Sequence, residues 1–243
     1  MALLRRTGEM LRHRALARGF ARRAPWITGY DINGRHYGGA YQGMEDGRVA
    51  LFQRVWPKPS RVLELGCLEG GHSFRLAEHA GEVVALDAQE ANLEKCRWLQ
   101  ATAFPRAVVR FLPADLDDYD PGILGSFDAV LNSGLLYHLA KPWLNLQRLA
   151  RCTGGMLLWT HYAPDTVADV VRGGYRGWDY PEPDSGHPLR GMHGSSFWPT
   201  HNELQRMLMD AGFTDIVEYT DDHGHEHGPA VLLSCRSAMA AAS

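Results

Sequence analysis

The chain has 243 residues, of which 45% are hydrophobic and 22% charged, with a formal net charge of −3 when histidine is neutral. That balance suits one sizeable globular α/β unit and excludes a global basic field that would recruit nucleic acid. No apolar run is long enough to span a bilayer, and Cys67, Cys96, Cys152 and Cys235 form no C-x-x-C pair and suggest no disulfide framework, which fits a reducing, cytoplasmic location.

The first residues read as a basic amphipathic helix. Arg5, Arg6, Arg12, Arg14, Arg18, Arg22 and Arg23 crowd one segment with Leu3, Leu4, Leu11, Leu16 and Phe20. The segment lacks the apolar stretch of a secretory signal, which leaves two readings: a helix lying on the folded domain, or an Arg-rich targeting segment. Residues 26–44 are rich in Gly and aromatics with poor helical repetition, so a loop is expected before a short helix near 45–55. A regular alternation then begins. Strands are expected over 60–66, 82–87, 107–112, 127–132 and 156–160, with helices over 72–79 and 90–99 and another whose first turn holds Pro142. Such alternation predicts a mostly parallel sheet covered on both faces.

Residues 163–198 break the rhythm, and their aromatic content favours an ordered lid. Thr200 then resembles an N-cap, with Glu203 placed for a capping box, Leu204, Met207 and Leu208 facing inward, and Gly212 as the stop. Two last strands, 215–219 and 230–235, are joined by the turn DDHGHEHG.

The chemistry concentrates in VLELGCLEGG (62–71), a strand ending in Glu64-x-Gly66-x-x-x-Gly70 before a helix. Gly66 permits a sharp turn, and Gly70 permits close approach of a ligand or helix. Asp87 ends the next strand about 20 residues later, where a carboxylate can accept both hydroxyls of a ribose. PADL (113–116) follows the third strand, placing Asp115 for an adenine amino group and Leu116 against the base. Capping of the following helices would explain Asp87 or Asp115 singly. The ordered set, each member after a strand, points to a nucleoside site.

Together VLELGCLEGG, VVALDA, PADL and FDAVLNSGLLYHL resemble the ordered motifs of the class I S-adenosylmethionine (SAM)-dependent methyltransferases, over about residues 58–236. The resemblance implies a Rossmann-like seven-stranded sheet of order 3-2-1-4-5-7-6, with helices on both faces and a terminal antiparallel hairpin. It implies SAM as cofactor, with Gly66 and Gly70 beside its methionine part, Glu64 near its amino group, Asp87 on the ribose and Asp115 on the adenine. Cys67, Ala88, Leu116 and Asn132 belong to the same expected surface. The chain departs from many members in having Leu68 where they have a middle glycine. The dinucleotide fingerprint G-x-G-x-x-G is absent. Residues 1–56 are then an extension covering the SAM site, and 57–243 the methyltransferase domain with a lid-like insertion at 163–198.

Ligands of open α/β sheets lie beyond the carboxyl ends of the strands. Residues after the fourth and fifth strands, including Tyr137, His138, His161 and Tyr162, therefore belong near the acceptor. Transfer to an alcohol needs a base for its proton, which makes His138 the first candidate and His161 the second; either could instead satisfy a backbone carbonyl at a strand end. Tyr175, Trp178, Tyr180, His187, His193, Phe197 and Trp198 are lid candidates that could stack on a sugar or form a small core of their own. Upstream, Tyr37, Tyr41 and Arg48 could close over SAM, with Arg48 on the methionine carboxylate. His223, His225 and His227 read as a solvated turn, and no metal is expected. LLYHLAKPW resembles a subgroup that methylates small metabolites and sugars, and also the tRNA wobble-uridine carboxymethyltransferases. The expected function is O-methylation of a small hydroxylated acceptor, a sugar or natural-product intermediate. The alternatives are a tRNA-modifying enzyme, for which the N-terminal arginines are the candidate patch, and a non-catalytic SAM-binding protein.

Overall fold

The computed structural model describes residues 2–182 and 189–237. Helix α1 (Ala2–Arg22) leads into a hairpin of β1 (Gly29–Ile32) and β2 (Arg35–Gly38), followed by α2 (Gly47–Val55). The alternating part comprises β3 (Arg61–Leu65), α3 (Gly71–Leu76), β4 (Glu82–Asp87), α4 (Glu90–Thr102), β5 (Val109–Pro113), β6 (Ala129–Ser133), α5 (Pro142–Ala150) and β7 (Gly155–His161). Short strands β8 (Val170–Arg172), β9 (Tyr175–Pro181) and β10 (Ser195–Pro199) precede α6 (His201–Ala211), β11 (Phe213–Asp222) and β12 (Ala230–Ser237). Among the described residues no helix is long and apolar enough to cross a membrane.

Seven strands form one sheet in the order β5-β4-β3-β6-β7-β12-β11. Strands β3 to β7 pair in parallel, and β12 runs antiparallel to both β7 and β11. Numbered within the sheet, the order is the 3-2-1-4-5-7-6 that the motifs implied. The parallel strands are nearly continuous apolar runs because helices cover both faces. Alternation along them still sorts two layers. Leu63, Leu65, Val84 and Leu86 pack with Leu146 and Leu149 of α5 and Leu204 and Leu208 of α6. Val62, Val83, Ala85 and Leu131 pack on the other face with Phe74 of α3 and Leu93 and Leu99 of α4. Each fully buried Leu or Val contributes roughly 1.5–3 kcal/mol of transfer free energy.

The second layer also holds the N-terminal segment. Along α1, Leu16 and Phe20 are buried, while Met10 and Leu11 are exposed. Phe20 stacks on Tyr37 and meets Trp98 edge-on, both at 5.1 Å between ring centroids. Arg12, Arg14, Arg18 and Arg22 face solvent. Part of the stretch that reads as a loop is the β1–β2 hairpin. Its turn is Asn33-Gly34 with φ of 51° and 73°, the paired left-handed conformation of a tight hairpin. An Asn-Gly pair was the available signal for it.

The 163–198 region is built around a three-stranded antiparallel sheet of order β10-β9-β8. Its exit and return are tied by a bridge between Ala163 and Thr200. Thr200 caps α6 by accepting from the Glu203 N–H, and Gly212 ends that helix at φ 100°. The reciprocal half of the expected capping box is absent: the Thr200 N–H bonds to the Arg176 carbonyl, and Glu203 pairs with Arg206. Leu204, Met207 and Leu208 are buried.

Candidate active site

A cavity of about 380 Å³ opens at the carboxyl ends of the parallel strands, where the sheet order reverses between β3 and β6. Its floor is the turn after β3. Gly66 has φ 70°, and a Cβ there would stand 3.2 Å from Leu135. Leu68 occupies the left-handed region at φ 50°, which a branched L side chain adopts at a cost. That conformation points the Leu68 N–H at the Asp87 carboxylate, 2.8 Å away. The other Asp87 oxygen accepts from the Gln89 N–H and Asn92 Nδ2. Burial raises the Asp87 pKa against these three bonds.

Asp87, Ala88, Asp115, Leu116 and Cys67 all line this cavity. One Asp115 oxygen accepts from the Asp117 N–H. Between these carboxylates and the β6 end, the Ser133 hydroxyl is buried without a hydrogen-bond partner among the described residues and lines the same wall. Two carboxylates, apolar plates from Leu116 and Leu135, and an unsatisfied hydroxyl fit the diol, base and amino-acid parts of an adenosyl amino acid.

The N-terminal segment closes one side. Glu69, buried, accepts from the Ile27 and Thr28 N–H groups at 3.0 and 2.6 Å and pairs with Lys95 at 2.7 Å. Next to this anchor, Tyr41, Arg48 and His72 reach the cavity. Arg48 engages Asp46 through Nε and Nη2, and the Tyr41 hydroxyl lies 2.8 Å from His72 Nε2. Burial opposes ionisation of Asp46, but His72 and Arg48 outweigh it and hold its carboxyl far below the usual range. The Arg48 guanidinium also covers the Trp159 ring at 4.6 Å. Arg48, expected on the methionine carboxylate, thus also has a carboxylate partner within its own chain.

Opposite stands His138, at the end of a 3₁₀ turn (Leu136–His138) after β6. Its Nδ1 lies 3.0 and 3.1 Å from the two oxygens of Glu182, which follows β9. The Glu182 side chain has no solvent exposure and also accepts the Gly191 N–H at 2.8 Å. Burial pushes its pKa up, yet His138 and the Gly191 N–H prevail and hold it below the ordinary value. His138 Nε2 has no hydrogen-bond partner among the described residues. Tyr137 lines the cavity beside it, its hydroxyl kept protonated by burial, with a pKa raised to about 12.

Other expected site residues stand behind this wall. Glu64 is buried beneath the turn, bonded to the Ser73 hydroxyl and 3.9 Å from His72 Nδ1, and is not among the residues that line the cavity. Gly70 turns away toward Phe74 and Cys96, and Gly71 takes the wall position. The Asn132 amide is fully buried with no partner among the described residues. His161 points its Nδ1 at the Gly228 and Pro229 carbonyls and stacks on Trp198. Burial lowers its pKa, its ring meets Tyr137 edge-on at 4.6 Å, and it is not among the residues that line the cavity. Tyr162 bonds to Asp221 and Tyr175 to Asp210, both away from the cavity. Trp178 and Trp198 pack with Ala163 and Ala168, and Trp198 Nε1 donates to the Tyr137 carbonyl. His193 sits half-exposed, 3.3 Å from Asp117, whose residue lines the cavity. His187 lies outside the described residues. Tyr162, Tyr175, Trp178, His193 and Trp198, expected near the acceptor, lie outside the residues that line the cavity. His72, Asp46 and Glu182 were not singled out in the sequence.

Residues 62–154 match the family model for a methyltransferase domain. The N-terminal domain of EvdMO1, solved in the presence of S-adenosylhomocysteine (SAH) and D-fucose, superposes with a TM-score of 0.83 at 28% identity, covering 93% of this chain and 97% of that one. The tRNA U34 carboxymethyltransferase of Hahella chejuensis is 32% identical over 114 residues, 45% of this chain and 35% of that enzyme. The O-antigen chain terminator bifunctional methyltransferase/kinase WbdD of Escherichia coli is 29% identical over 87 residues, 35% of this chain and 12% of that protein. The matched segments thus span about a third and an eighth of these curated relatives.

Proposed function

From the premise that the chain belongs to the class I SAM-dependent methyltransferases, we propose that it methylates a hydroxyl of a sugar or similar small polyol. The observation that carries this reading is the His138–Glu182 pair on the cavity wall. When bound, SAM supplies a methyl group already activated on a sulfonium.

The chain's residues then have positioning and proton transfer to perform. Asp87 takes the ribose hydroxyls and Asp115 the adenine amino group, with Leu116 against the base. Gly66, Cys67, Gly71 and Ser133 surround the amino-acid part. The acceptor lies between Tyr137, His138, Arg48 and Tyr41, all of which line one cavity. Its attacking hydroxyl loses a proton to His138 Nε2, because Glu182 occupies Nδ1 and fixes the tautomer. The buried Glu182 carboxylate stabilises the imidazolium as it forms. Phenol and guanidinium donors around the acceptor suit a ligand with several hydroxyls. The D-fucose in the EvdMO1 crystals supports a sugar as the class to test first.

The likeness to tRNA U34 carboxymethyltransferases favours a second reading. A donor carrying an extra carboxylate would want an uncompensated cation, whereas Arg48 is paired with Asp46.

Transfer of radiolabelled methyl from SAM to a panel of free and nucleotide-linked sugars, with unmodified tRNA alongside, tests the proposal. Label in a sugar ether supports it. Label in tRNA alone, or in no acceptor while SAM is bound, overturns it.

A further inference from the structure

Away from the catalytic cavity, a second group of chemically competent side chains gathers at the base of the 163–199 insertion. His201 is the first residue of α6, and Glu218 and Asp221 lie on β11. One ligand atom from each lies within 4.8 Å of the others. His201 Nε2 is 3.0 Å from Glu218 Oε2. The Tyr162 hydroxyl donates to Asp221 Oδ1 at 2.6 Å, leaving Oδ2 toward His223, whose Nε2 is 3.2 Å away. None of these residues lines the cavity.

We propose that His201, Glu218 and Asp221 bind a zinc-type dication, with water completing its coordination. One imidazole and two carboxylates balance the charge of such an ion. Zinc takes N and O donors at about 2.0–2.2 Å in a tetrahedron, which brings donor atoms to separations like those observed. The imidazole among the donors favours zinc, nickel or copper over magnesium and calcium, which prefer all-oxygen sets. Tyr162, buried, holds the Asp221 carboxylate in the manner of outer-sphere partners that orient metal ligands.

The position gives the ion a structural task. The insertion leaves the domain at Ala163, beside Tyr162, and returns at Thr200, beside His201. A bound ion would staple that junction to β11 and hold the β8–β10 sheet against the domain. Surface ion pairs of protonated histidines would explain the same contacts without a metal, and they contribute little to stability.

Calorimetric titration of the full chain with zinc chloride, after chelator treatment and dialysis, separates the two. The expected result is one zinc per chain, affinity at least tenfold weaker in both His201→Ala and Asp221→Asn, and no change in a His225→Ala/His227→Ala double variant. Zinc should raise the melting temperature of the parent but not of His201→Ala, with circular dichroism confirming that each variant is folded. No stoichiometric binding, equal binding by every variant, or loss only in the His225/His227 variant would overturn the site.

Discussion

His138 and Glu182 are 44 positions apart in sequence, yet the histidine Nδ1 lies 3.0 Å from the glutamate carboxylate in a site that no solvent reaches from the glutamate side. Replacing Glu182 by Gln keeps an acceptor for the Gly191 N–H but removes the charge that would steady an imidazolium. We expect kcat to fall roughly 10- to 100-fold with the KM for SAM within twofold. Steady-state kinetics check this. Unchanged kcat would detach Glu182 from the reaction.

Asp87 carries a different load. Removing its carboxylate in Asp87→Ala deletes the proposed ribose acceptor and strands the Leu68 and Gln89 N–H groups. A hydrogen bond to a charged group is worth about 1.5–3 kcal/mol, so SAH affinity should weaken on the order of 10- to 100-fold by calorimetry. Equal affinity would sink the ribose assignment.

Leu68 sits at φ 50°, where β-branching is worst tolerated. Leu68→Val should therefore lose roughly 1–2 kcal/mol in urea unfolding. Leu68→Gly, which relieves the strain but frees the unfolded chain, should stay within about 1 kcal/mol of the parent. Equal stability of the Val variant would contradict the strain.

Burial pushes the Glu64 carboxyl up to about 8, the Ser73 hydrogen bond notwithstanding. A carboxyl raised on folding stabilises the protein fully below its unfolded value near 4.5, and that contribution is lost as pH rises through the folded value near 8. Compared with Glu64→Gln, the parent should lose roughly 4 kcal/mol between about pH 4.5 and 8. Urea midpoints at acidic, neutral and alkaline pH measure it. Parallel curves for the two proteins would contradict the burial effect.

The parallel core and the nucleoside motifs were legible because their signals are local: an apolar run, a glycine turn, and an aspartate at each strand end. Asn33-Gly34 was equally local, but the aromatic residues around it masked the hairpin. The two histidines after strand ends show where local reading stops. His138 and His161 look alike in sequence. They differ because the start of β12 lies beside the end of β7 and offers His161 two carbonyls, while the insertion brings Glu182 to His138. His72 and Asp46 likewise meet only through the packing of the N-terminal segment on α3. The insertion aromatics read equally as a lid or as a small core, and the structure puts Trp178 and Trp198 in a core.

In the proposed mechanism His138 takes the acceptor's proton and takes no part in holding SAM. The most direct test measures SAH affinity and single-turnover methyl transfer in parallel for His138→Ala. We expect affinity within twofold of the parent and transfer slowed at least 100-fold. Transfer at the parental rate, or loss of SAH binding together with activity, would contradict it.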